Sequence, residues 1–169
     1  MALIEMNVRE LALNPFEKIG KSWMLITAGT QESFNSMTAA WGGFGSLWNK
    51  NVAFTFICPE RYTYEFAEKY DTFSLTFFEE SYREQLYIMG QASGRDIDKV
   101  KECHFTPAFY EGCPYYEEAS LVLICKKVYA DDMKKENMAS QAQVIYSGGM
   151  AVHRMYIGEV VKILKKETD

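Results

Sequence analysis

FNSMTAAWGG, residues 34–43, is apolar enough to form a strand, yet past Phe34 its only large flat side chain is Trp41. Asn35, Ser36 and Thr38 bring hydrogen-bonding side chains and Met37 a flexible one. Ala39, Ala40, Gly42 and Gly43 leave the backbone open to close approach. Such a segment suits a surface on which something planar lies. It reads equally as a core strand packed beneath a loop. Just upstream, residues 22–30 (SWMLITAGT) are β-like and residues 29–33 read as a turn, so 34–43 becomes the second strand of a hairpin. Downstream, residues 42–49 read as a Gly-rich bend and 51–57 (NVAFTFI) as a β-branched and aromatic strand.

Cys58-Pro59-Glu60 halts that strand and opens a helix over 61–69, with Pro and Glu both suited to a helix start. Residues 71–78 form another strand. Ser81 and Glu84 then match an S-x-x-E capping box for a helix running toward Met89. Residues 90–94 are a loop, 96–101 a short helix, and 103–118 an irregular stretch broken by Pro107 and Pro114. Strong strands at 119–129 and 152–164 flank a charged helical segment near 131–143. These elements show no βαβ alternation, and so predict a mainly β antiparallel barrel with peripheral short helices, in one domain spanning residues 1–169.

The chain has 18 basic and 23 acidic residues, a net charge of −5, which argues against a general nucleic-acid surface. No apolar run is long enough to cross a membrane, and the N-terminus lacks signal-peptide form. The cysteines at 58, 103, 113 and 125 include no C-x-x-C pair. A cytoplasmic protein with reduced thiols is expected.

Two stretches pair hydroxyls with cations at a helix start. One is CPERYTYEF, with Arg61, Tyr62 and Thr63; the other is SGRDIDK, with Ser93, Arg95 and Lys99. Hydroxyl, backbone N–H and cation together suit a phosphate monoester, although an ordinary helix cap and a solvated charged face read the same way. There is no Walker loop, no G-x-G-x-x-G and no nucleophile elbow. Cys103, His104 and Cys113 match no common zinc spacing. His153, at the start of the last strand, is a proton-handling or structural histidine.

Four motifs in order carry a resemblance: N-S-M-T-A-A-W at 35–41, R-Y-T at 61–63, S-G-R-D-I-D-K at 93–99 and H-R-M-Y-I-G-E-V at 153–160. Together they resemble the flavin reductase-like, FMN-binding split-barrel family and its flavoredoxin-like branch. The resemblance implies a six-stranded antiparallel split β-barrel with Greek-key connections, a homodimer, and FMN near the subunit interface. It implies that residues 35–41 run along the isoalloxazine and ribityl chain. Arg61, Thr63, Ser93 and Lys99 would hold the phosphate or nearby hydroxyls, and His153 would lie near the flavin as the catalytic candidate. The implied function is a flavin reductase or a flavoredoxin-like electron carrier, with NAD(P)H or a redox protein partner as donor. The alternatives are a non-catalytic FMN sensor or storage module and an oxidase of the pyridoxamine-phosphate type. Related reductases often carry Gly-Asp-His where this chain has Ala151-Val152-His153, a departure that bears on NAD(P)H use rather than on FMN.

Overall fold

In a computed structural model that describes residues 2–167, the chain opens with strand β1 (Leu3–Glu5), a 3-10 turn at Val8–Glu10 and helix α1 (Pro15–Gly20). Asn14 caps α1 by accepting from the Phe16 N–H, and Pro15 stands where no N–H donor is needed. Strands β2 (Met24–Gly29) and β3 (Phe34–Ala39) form the expected hairpin. The stretch read as a bend is instead a second hairpin, β4 (Gly42–Leu47) and β5 (Lys50–Ile57). Trp48 and Asn49 turn it with both φ positive, the conformation of a two-residue type I′ connection. Gly42 pairs with Thr55 in this ladder, and the position needs glycine because a Cβ there would sit 2.4 Å from the Phe54 carbonyl oxygen.

Helix α2 (Tyr62–Lys69) begins after Pro59 rather than at it, since the Arg61 N–H first closes a turn onto the Cys58 carbonyl. Strand β6 (Thr72–Phe77) follows, then helices α3 (Arg83–Gln91) and α4 (Lys99–Glu102). Ser81 lies inside a 3-10 turn before α3, so the cap position falls on Tyr82 and the expected capping box does not form. The stretch read as irregular carries a short hairpin, β7 (Pro107–Tyr110) and β8 (Cys113–Tyr116), turned by Glu111 and Gly112. Its prolines sit in a two-stranded ribbon with little ladder to break. Strand β9 (Leu121–Asp132), helix α5 (Ser140–Ile145) and strand β10 (Arg154–Lys166) complete the chain.

One antiparallel sheet runs in the order β3-β2-β6-β9-β10-β5-β4, with β1 added to β10. Strands β3 and β4 are its two ends, yet only Ala40 and Trp41 separate them in sequence. Three Cα–Cα steps reach at most about 11 Å, so the sheet must curl until its ends meet. The ends meet without pairing, which makes a barrel split along the β3/β4 seam. The fold is thus the mainly β split barrel expected. Among the described residues it has four strands beyond the six anticipated: β1, β4, β7 and β8.

Strand alternation builds two cores. All of β2 is buried: Met24, Ile26 and Ala28 fill the barrel, while Leu25 packs outward against Leu86, Met89 and Tyr116. Each fully buried Leu or Ile contributes about 1.5–3 kcal/mol, so β2 holds both layers together. The barrel wall is tight at Gly158, where a Cβ would lie 2.7 Å from the Cys125 Cβ and 2.8 Å from the Phe73 ring. We predict that Gly158→Ala lowers unfolding stability by about 1–3 kcal/mol. In urea denaturation the midpoint should fall with the slope unchanged, and an unshifted midpoint would show slack in the wall.

Candidate functional site

Strand β3 forms one lip of the seam. The Ser36 carbonyl accepts from Lys99 Nζ at 2.5 Å and so points away from β2. The two-residue period of the ladder turns the backbone N–H and C=O of Thr38 the same way, toward the seam. The side chains divide between two faces. Asn35 Nδ2 donates to Thr63 Oγ1 at 2.8 Å, tying β3 to the start of α2. The Ser36 hydroxyl points to the outer core, 2.6 Å from the Tyr116 hydroxyl and 2.8 Å from Thr27 Oγ1. The Thr38 hydroxyl donates to the Leu86 carbonyl of α3.

Two hollows follow this lip. A cavity of about 100 Å³ is lined by Asn35, Met37, Arg61, Thr63, Ser93 and Lys99, with Tyr62 beside them. An open slot of about 270 Å³ runs along Thr38, Ala39 and Ala40, walled by Trp23 and Tyr87, and it shares Arg61 and Gln91 with the cavity. Two further residues meet at the start of β4 and β10: the Trp41 ring lies 4.8 Å from that of His153. His153 Nδ1 is 3.1 Å from the Tyr146 hydroxyl.

Two cations, Arg61 and Lys99, and one carboxylate, Glu60, line the cavity. Lys99 is only 5% exposed, and burial, reinforced by the Arg61 charge, lowers its pKa to about 8. It donates to the Ser36 and Met89 carbonyls, at 2.5 and 3.0 Å, which leaves one ammonium hydrogen free. Arg61 spends Nη1 on the Gly90 carbonyl at 2.9 Å and keeps its other donors. No side chain caps α2, and Tyr62 and Thr63 of its first turn line the cavity. Burial, and then Arg61, hold the His153 pKa below its ordinary value, so the ring is neutral at pH 7.

Sequence reasoning placed Asn35, Met37, Thr38, Ala39, Arg61, Tyr62, Thr63, Ser93 and Lys99 at one locus, and the fold brings them together there. Ser36 reaches the locus only through its carbonyl. Trp41 and His153 pair with each other outside both hollows. Arg95, expected to join the cations, instead pairs with Glu65 and lies 4.7 Å over the Tyr62 ring. The carbonyls of Leu86, Met89 and Gly90 were missed, because backbone acceptors leave no mark in a sequence. Gly90, read as the start of a loop, lies within α3.

A profile of the family described as "Flavin reductase like domain" matches residues 16–169. Comparison with curated proteins finds no match. Among solved structures, a flavoredoxin from Methanosarcina acetivorans is similar at 18% identity and a TM-score of 0.70, over 94% of this chain and 76% of that one. An FMN-binding protein from Thermus thermophilus, with bound p-hydroxybenzaldehyde, reaches 0.70 at 17% identity, over 96% and 81%. The flavoredoxin of Desulfovibrio vulgaris (Miyazaki F) gives 0.69 at 18%, over 97% and 78%. These structures share the fold, and the profile covers nearly the whole sequence: the chain belongs to the flavin reductase-like domain family.

Proposed function

We propose that this protein binds FMN along the β3 lip and works as a flavin-dependent oxidoreductase, either a flavin reductase or a flavoredoxin-like electron carrier. One observation carries the reading: an open strand edge, a flat slot and a two-cation cavity lie in line along residues 35–39, a span of about 13 Å. The donor set suits each part of FMN. Arg61, Lys99, Thr63 and Ser93 with the start of α2 match a phosphate monoester. The Thr38 backbone offers a donor and an acceptor to the pyrimidine edge of a ring lying beside Ala39 and Ala40. Bound FMN would supply the redox chemistry.

The chain's own part is to orient the ring edge at Thr38, neutralise the phosphate charge and shield the slot with Trp23 and Tyr87. The neutral imidazole of His153, held at Nδ1 by Tyr146, can keep or accept a proton at the far rim. A redox protein is favoured over NADPH as electron donor by Arg154. The cation next to His153 is bound by Glu68 and Asp132, both at 2.9 Å, and is not free for a dinucleotide phosphate.

A homodimer is also part of this proposal. Phe54 and Phe56 of β5 face outward opposite Ile157 and Met155 of β10, partly exposed, while α1, α2 and α3 pack on β2, β3 and β4. That apolar sheet face suits a second copy.

Titration by flavin fluorescence should show FMN binding more tightly than riboflavin. Lys99→Met and Thr63→Ala should each weaken FMN by about 1–3 kcal/mol and riboflavin by less. Absence of FMN quenching would sink the flavin reading. The advantage of FMN should be full between the second phosphate pKa, about 6, and pH 8. It should shrink as pH rises through about 8, where ligand-free Lys99 loses its proton. An advantage flat to pH 10 would remove Lys99 from the phosphate. Under anaerobic mixing, a reduced ferredoxin-type donor should bleach the flavin band faster than NADPH; the reverse order would make the protein a pyridine-nucleotide reductase. Phe56→Glu should turn the dimer into monomer by light scattering, and a wild-type monomer would refute the dimer.

A further inference from the structure

Arg61, at the start of α2, and Lys99, opening α4, are 38 positions apart in sequence, yet both donate to the same helix end. Arg61 Nη1 reaches the Gly90 carbonyl at 2.9 Å and Lys99 Nζ the Met89 carbonyl at 3.0 Å. These carbonyls belong to the last turn of α3, where no intrahelical N–H remains to pair with them and the helix dipole favours cations. The turn therefore works as an internal counter-charge. It aims both cations while leaving donors free for a ligand.

What sets the position of the turn is visible one step back. Leu86, Met89 and Gly90 are spaced i, i+3 and i+4, hence on one face of α3. The Leu86 carbonyl on that face accepts from the Thr38 hydroxyl. Gly90 lies directly against the same residue, since a Cβ there would stand 3.1 Å from the Thr38 Cβ. Thr38 thus grips α3 by a hydrogen bond at one turn and by close packing at the next.

We infer that the Thr38 side chain is a positioning residue: by locking the end of α3 to β3 it places Arg61 and Lys99 at a set distance from the slot. The Thr38 backbone borders the slot while its side chain governs the cavity. One residue thereby sets the spacing between the planar and the anionic part of the ligand, and with it the preference for a phosphorylated flavin. This rests on the proposal that the cavity takes the phosphate.

The test compares FMN and riboflavin dissociation constants, with melting temperatures, for Thr38→Val, Thr38→Ser and Gly90→Ala. Thr38→Val keeps the shape and removes the hydroxyl, and should weaken FMN about 10-fold with riboflavin held within about 2-fold. Thr38→Ser, which keeps the hydroxyl, should restore FMN affinity. Gly90→Ala, whose Cβ would press on Thr38, should also weaken FMN while riboflavin stays within about 2-fold, whereas a purely structural role predicts equal loss of both ligands. Parallel loss of both ligands in Thr38→Val, or an intact FMN preference, overturns the inference while leaving the phosphate reading standing. A wild-type protein that binds both flavins equally overturns the phosphate reading and this inference with it.

Discussion

The covalent shortness of Ala40-Trp41 governs this molecule. Those two residues join the opposite ends of a seven-strand path, so the sheet has no freedom to stay open. Once it curls, the end of β3 and the start of β4 meet at this connection with no ladder between the two strands. The edge of β3 therefore keeps unpaired backbone groups beside a slot, whereas β2, β6, β9, β10 and β5 are paired on both sides. A closed barrel would have spent those groups on a neighbouring strand. The opening for a ligand is a direct consequence of how the barrel fails to close.

The lip itself is held from three directions. From the barrel side Asn35 ties it to α2, and from the outer core Tyr116 and Thr27 hold the Ser36 hydroxyl. Lys99 takes the outward Ser36 carbonyl. Each such hydrogen bond adds only about 1 kcal/mol net, but any buried partner left alone costs more. The set is accordingly stiff, and stiffness is what an edge strand needs if it is to present donors at fixed spacing. The buried lysine shows the same logic. Desolvation disfavours its charge, and two carbonyls recover much of that loss without neutralising it, so an anion still has something to gain.

Much of the fold was legible beforehand because local signals were strong. The β-like run at 22–30 and the β-branched and aromatic run at 51–57 announced strands that exist. The two missed hairpins share one cause. Glycines at 42–45 and prolines at 107 and 114 were taken as breakers, whereas in place they permit close contact with Phe54 and a tight ribbon on the outer core. Ser81 and Glu84 had the spacing of a capping box, but the 3-10 turn ahead of α3 shifted the frame.

By itself the sequence determined which chemistry is available: hydroxyls and small residues at 35–40, two cations near helix starts, a late histidine and an apolar alternation that builds a barrel. Only the tertiary structure decided how those groups are used. It turned Ser36 toward the outer core, set Thr38 against α3, committed Arg95 to Glu65 and placed the Trp41 ring against His153. The reason is physical. Side-chain type is local and written in the chain, whereas direction depends on strand register and on backbone carbonyls such as those of Met89 and Gly90, which every residue carries and no sequence distinguishes.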